Sequence, residues 1–358
     1  MMDRTGKGSD LMSRSDKDPR PANAEVAQSA DVLLRVEGLT KAFRVGGRPF
    51  VAVDHVSFEI ERGSTFGVVG ESGSGKSTLS RCILCLIPPD AGRVLFDGTV
   101  LSAQSPRALR QMRRRLQVVL QDPHGSLNRR LSVAEIISAP LSAHRVGNKV
   151  DRTRRVRELL ELVGMSESFA ARLPRDLSGG QAQRVAIARA LALEPDFVVL
   201  DEAVSALDVS VRAQILNLLR RLQDELHLTY LFITHDLSVA RYMSHQLAVM
   251  YRGQFLETGP RSVLFADPAH PYTRSLMSAI PVAGRTPRVG RSPMVVGGGD
   301  ESESLQITGC RYRARCEIGH DLAECQQVDP GPTSLTPRHT VHCHHPELRS
   351  AGATRKEQ

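Results

Sequence analysis

Residues 70–77 read Gly-Glu-Ser-Gly-Ser-Gly-Lys-Ser, the spacing G-x-x-x-x-G-K-[ST], and few folds accept such a string. It follows a short apolar run, Thr65-Phe66-Gly67-Val68-Val69, and precedes a helical pattern over 78–86 that Thr78 opens. Strand, glycine-rich loop and helix in that order form a phosphate cradle. Gly70, Gly73 and Gly75 let backbone N–H groups turn inward, with Glu71, Ser72 and Ser74 completing the loop. Lys76 supplies a point charge to the outer phosphates, and the Ser77 hydroxyl is a ligand for Mg²⁺. The chain is therefore expected to be α/β with a parallel sheet.

The rest of the sequence fits that frame. Residues 197–202, Phe-Val-Val-Leu-Asp-Glu, form an apolar run that delivers two carboxylates at its end, where ligands bind in parallel sheets. Asp201 is expected in the Mg²⁺ shell and Glu202 as the general base that polarises water. A second buried run, 230–233, follows the helical stretch 209–226. Strand-like segments at 33–36 and 56–60 precede the loop, and 121–177 turns helical and arginine-rich. Residues 1–31 are Ser-, Asp-, Lys- and Pro-rich without apolar period and are expected as a disordered leader. Residues 282–299 form a Gly/Pro/Arg-rich linker.

A net charge of +8 would suit nucleic acid, but 5 Tyr, 10 Phe and no Trp leave few platforms for stacked bases, so no nucleic acid is expected as a partner. No apolar run reaches the roughly 18 residues that span a bilayer, and the N-terminus has no apolar signal core, which points to the cytosol.

Leu177-Ser178-Gly179-Gly180-Gln181-Ala182-Gln183-Arg184 is the string that decides among phosphate-loop proteins. A Ser-capped helix with a glycine hinge accounts for its composition but not for its place between loop and acidic strand. It resembles the signature motif of ABC ATPases, and 33–280 matches that family in motif order. The resemblance implies a RecA-like core with an antiparallel β flap, ATP and Mg²⁺ as ligands, and a site shared between two cassettes. Ser178, Gly179, Gly180 and Gln181 would bind the γ-phosphate held by the other subunit. Asp208, in Ser205-Ala206-Leu207-Asp208, resembles the loop that crosses the dimer interface. Gln121 resembles the loop glutamine that senses Mg²⁺, His235 in Thr234-His235-Asp236 the switch histidine, and Phe43 the aromatic against adenine. Ala203 departs from the proline many relatives carry after the paired acids.

With one phosphate loop and one signature motif, the chain supplies half of a two-site assembly. His270 to Pro281, His-Pro-Tyr-Thr-Arg-Ser-Leu-Met-Ser-Ala-Ile-Pro, resembles the C-terminal motif of oligopeptide/dipeptide importer ATPases, as do Gln121-Asp122-Pro123 and Ser126-Leu127-Asn128. The division implied is an ATPase domain over 32–259, with a helical insertion at about 122–183, and a Cys-rich extension over 260–358. The partners implied are a second ATPase subunit, two integral membrane permeases and an extracytoplasmic binding protein. The solute is then a peptide, or nickel, glutathione or another small solute of the same group; a soluble non-transport ABC ATPase is the rival outside transport. In the extension, Cys310, Cys316, Cys325 and Cys343 are spaced C-x5-C-x8-C-x17-C. In a reducing compartment such a cluster points to a metal or to nothing; four thiolates suit zinc or an iron–sulfur cluster, and this spacing alone names neither; the resemblance implies 4Fe-4S. Cys82 and Cys85 follow the phosphate loop and are expected as small buried hydrophobes.

Overall fold

A computed structural model describes residues 31–278 and 308–346. The leader up to residue 30, the linker and the Ala279-Ile280-Pro281 end of the importer motif lie outside the described residues. Those described fall within one compact unit that begins at Asp31.

The chain starts with a hairpin, β1 (Val32–Val45) and β2 (Arg48–Glu61). It turns on Gly46-Gly47, both at positive φ, the backbone that two-residue hairpin loops require. The strand-like segments at 33–36 and 56–60 are thus parts of two much longer strands. β3 (Thr65–Val69) enters the core, and α1 (Lys76–Ile83) follows the phosphate loop. Next come β4 (Ala91–Phe96), β5 (Thr99–Val100), α2 (Pro106–Arg115) and β6 (Leu116–Val119). The helical stretch holds α3 (Pro123–Ser126), α4 (Val133–Ala143), α5 (Lys149–Leu162) and α6 (Gly179–Leu191). Capping boxes, Ser132 with Glu135 and Asn148 with Asp151, start α4 and α5. β7 (Phe197–Asp201), α7 (Val209–Leu226), β8 (Thr229–Thr234), α8 (Leu237–Met243), β9 (Gln246–Tyr251) and β10 (Gln254–Pro260) complete the alternation. The extension adds α9 (Arg261–Ala266), α10 (Pro271–Ser278), α11 (Ala323–Gln327), β11 (Thr333–Thr336) and β12 (His339–Val341).

Two sheets organise these elements. β2-β1-β4-β5 is the antiparallel flap, and the second sheet runs β11-β12-β10-β9-β3-β8-β7-β6. Its β9-β3-β8-β7-β6 portion is parallel, whereas β10, β12 and β11 pair antiparallel. β3, β7 and β8 are buried at every residue, as strands covered on both faces must be. Their C-terminal ends therefore meet on one edge and carry the site.

The extension is no appendage with a separate core. Cys310, Tyr312, Cys316 and Cys325 share one apolar cluster with Val69, Tyr251, Leu256 and Tyr272. Glu257 on β10 is fully buried and accepts hydrogen bonds from Ala269 N (2.8 Å) and His270 N (2.9 Å), with His339 Nε2 at 2.8 Å. Burial alone would raise its carboxyl, but the bonds from His339 and the two amides help outweigh burial and hold it below its usual value. One buried carboxylate thus fastens α10 and β12 to the main sheet, and the His-Pro-Tyr motif belongs to that fastening.

Candidate nucleotide site

The phosphate loop closes around Lys76, whose Nζ donates to the carbonyl oxygens of Gly70 (2.9 Å) and Glu71 (2.7 Å) and lies 3.4 Å from Ser74 Oγ. Two glycines make this possible. Gly75, at φ +105°, sits at the N-cap of α1, where a Cβ would fall 2.1 Å from the Ala52 carbonyl oxygen, and a Cβ at Gly70 would sit 2.2 Å from the Met250 carbonyl. Lys76 is 5% exposed. Burial pulls its amine below the usual lysine range, against the opposing pull of Glu202, Asp201 and Glu71.

Asp201 ends β7 beside the start of α1. Its Oδ1 accepts from Ser77 Oγ and its Oδ2 from Ser80 Oγ, both at 3.3 Å. Burial raises its carboxyl, opposed by those two hydroxyls and reinforced by Glu202. A buried amine pushed down and a buried carboxyl pushed up, side by side, mark a site short of external charge partners: a polyanion for Lys76 and a cation for Asp201. Ser77 Oγ and the Asp201 carboxylate are hard oxygen donors within reach of one ion, so this donor pair fits Mg²⁺. Ser80, one helical turn beyond Ser77, was not singled out from the sequence, although its i+3 spacing puts it on the same face of α1.

Glu202 takes left-handed backbone, φ +49°, unusual for a residue with a side chain. Its amide donates to the Ile233 carbonyl (2.9 Å), and its own carbonyl accepts from Ser205 N (3.1 Å) and Ser205 Oγ (2.9 Å), so the surroundings fix this conformation. The turn swings the side chain toward β8, where His235 Nδ1 lies 3.2 Å from Glu202 Oε2. His235 is more than half exposed and Glu202 mostly shielded.

The remaining sequence candidates lie on other elements. Ser178 N-caps α6: its Oγ accepts from Gln181 N (3.3 Å) while its amide donates to Gln181 Oε1 (2.9 Å). Ser178 is exposed at this cap. Gly180 lets α6 lie against α7, since a Cβ there would fall 2.5 Å from Val211 Cγ1. Asp208 is exposed at the N-cap position of α7 without capping it. Gln121 is exposed just past β6. Phe43 lies on the flap, 38% exposed, with Lys41 Nζ 5.6 Å from its ring centre.

In the extension, Cys310, Cys316, Cys325 and Cys343 line one cavity. Burial pushes the Cys343 thiol up to about 11, and the other three thiols add to the rise. Gly319 donates its amide to Cys316 Sγ (3.2 Å), and a Cβ on it would meet Cys325 Sγ at 2.7 Å. Among the described residues, no three His, Cys, Asp or Glu converge closely enough to grip a single metal ion. Cys82 is buried in the main core and Cys85 half-buried.

Comparison with known proteins bears directly on this geometry. Residues 53–205 match the family "ABC transporter" and residues 256–325 the family "Oligopeptide/dipeptide transporter, C-terminal region". A Brucella abortus (strain 2308) protein named "Putative peptide import ATP-binding protein" is 45% identical over 321 residues, 88% of this chain and 94% of that protein. The chain belongs to the ABC transporter ATPases of the oligopeptide/dipeptide branch. A relative of the same name in Brucella ovis is 43% identical over 311 residues, covering 87% of this chain and 97% of its own length. Among solved structures, a dimeric ATP-binding cassette in a post-hydrolysis state with ADP and phosphate is 32% identical, with a TM-score of 0.59. That match covers 64% of this chain and 99% of the cassette. The cassette cbiO1 from Clostridium perfringens, part of the ABC transporter complex cbiONQ, is 31% identical at a TM-score of 0.59, covering 66% and 91%. This ABC ATPase is an ATP hydrolase with a RecA-like α/β core, and among its described residues no helix is long and apolar enough to cross a membrane.

Proposed function

We propose that this ABC ATPase drives uptake of di- and oligopeptides from the cytoplasmic face of the membrane. It would work with a second ATPase subunit, two integral permeases and an extracytoplasmic binding protein. The observation that carries the reading is the union of a phosphate-loop site with an oligopeptide-type extension in one folded unit. The same union supports a division into a cassette over 32–259 and an extension over 260–358, with residues 1–31 as a leader. The test is uptake of labelled di- and oligopeptides in a strain lacking this chain. Peptide uptake should be lost; unchanged peptide uptake, with nickel or glutathione uptake lost instead, overturns the peptide reading.

In the reading we favour, Gly70 to Thr78 hold the phosphates, with Lys76 as their cation, and Phe43 packs on adenine. Ser77, Asp201 and Gln121 hold Mg²⁺, which when bound neutralises charge on the phosphates. Glu202 accepts a proton from the attacking water, and His235, beside it, orients that water toward the γ-phosphate. Ser178, Gly179, Gly180, Gln181 and Asp208 serve the partner subunit's ATP. The dimeric state of the matching cassettes supports a shared site.

The cysteine cavity we read as the seat of a 4Fe-4S cluster, held by Cys310, Cys316, Cys325 and Cys343 and serving to brace the extension. Anaerobic purification should yield coloured protein with about four iron and four sulfide per chain. The Cys316→Ser variant should lose both. Colourless protein containing zinc, or no metal, overturns the cluster.

A further inference from the structure

The cysteine-bearing extension reaches into the phosphate loop. Arg315 ends the short turn Arg313–Arg315 that links Cys310 to Cys316. Its guanidinium forks onto the Glu71 carboxylate, Nη1 to Oε2 at 2.9 Å and Nη2 to Oε1 at 3.0 Å. It lies against the rings of Tyr251 (5.8 Å) and Tyr312 (5.9 Å), which limit its freedom. A planar fork on a carboxylate is the strongest geometry such a pair adopts. Glu71 is no bystander: its carbonyl accepts from Lys76 Nζ and from Ser74 N (3.2 Å). A second tie runs parallel. Arg311 pairs with Asp54 and donates to the Arg252 carbonyl, and the next amide, Gly253 N, donates to Ser74 O (2.8 Å).

We propose that Arg315 is a positioning residue for ATP: by holding and neutralising Glu71, it lets the extension set the affinity of the phosphate loop. The physical reason is charge. Glu71 puts a carboxylate on a loop built to receive a polyanion. Paired to Arg315, the carboxylate is fixed and turned toward the extension. Unpaired, it stands near the incoming phosphates and competes for Lys76, which already feels it.

The inference rests on residues 70–77 being the ATP phosphate loop, and the experiment separates the two. Fluorescent ATP-analogue binding is measured on the full chain, together with thermal unfolding and, in the reconstituted transporter, KM and kcat for ATP. Lys76→Ala should abolish tight binding; if it does not, the loop reading fails. With that control in place, Arg315→Ala should weaken binding and raise KM roughly fivefold, the scale of one partly exposed charge pair, while kcat changes less. Arg315→Lys, which keeps the charge but not the fork, should fall between. The decisive variant is Arg315→Ala combined with Glu71→Gln: removing the stranded carboxylate should restore binding to within about twofold of Glu71→Gln alone. Unchanged affinity in Arg315→Ala overturns the proposal. So does a loss that Glu71→Gln fails to repair and that tracks the unfolding temperature, because Arg315 would then only hold the extension in place.

Discussion

Glu202→Gln should lower the maximal rate of ATP hydrolysis by about 10³-fold while leaving nucleotide binding intact. The amide has the shape of the carboxylate and takes the same left-handed backbone at similar cost, so the turn held by Ile233 and Ser205 should persist. What disappears is the acceptor for the water's proton. The amide oxygen is too weak a base to replace it, and His235, more than half exposed, lies close to Glu202 but ends a different strand. Loss of one negative charge beside Lys76 and Asp201 should favour the bound polyanion slightly, so ATP ought to be retained longer than in the parent. Phosphate release and retained nucleotide, measured on the reconstituted transporter, check both halves. Full turnover in this variant would remove Glu202 from the role of base.

That prediction draws on what the sequence shows and on what it hides. The phosphate loop and the acidic strand were legible because each is a contiguous string whose chemistry depends on local order. The signature helix was legible for the same reason, since Ser178 and Gln181 form a capping box within one turn. The left-handed conformation of Glu202 was not, because it arises from bonds to Ile233 and Ser205 that no period in the sequence encodes. Ser80 was within reach of helical spacing but lacks a motif of its own. The extension was hardest to read. β11 and β12 are four- and three-residue strands in a polar stretch, and they exist as strands because β10 offers its edge to β12 and β12 in turn pairs with β11. Glu257 looks like a surface residue in sequence, yet it is fully buried because His339, from 82 positions away, and two amides meet it there. The pair Arg315 and Glu71 spans 244 positions, so only folding reveals that the cysteine segment touches the nucleotide loop.

Lys76→Ala should weaken ATP binding by about 100-fold yet barely alter stability. These two effects are usually coupled at buried charges; here they separate. In the folded chain the Lys76 amine is desolvated, and its compensation comes from two loop carbonyls plus the pull of nearby carboxylates. Removing it strands the Gly70 and Glu71 carbonyls but also abolishes the cost of burying an ammonium, so the two changes oppose each other. The unfolding free energy should therefore move by no more than about 1 kcal/mol. In the nucleotide complex nothing offsets the loss. The phosphates would face Asp201 and Glu202 without the Lys76 cation at the base of the loop, and a charge-assisted bond worth about 1.5–3 kcal/mol disappears as repulsion rises. Equilibrium nucleotide binding and denaturant unfolding on the same preparation decide the matter. A variant that binds ATP as the parent does, or that loses binding only because it unfolds, would move the phosphate cation away from Lys76.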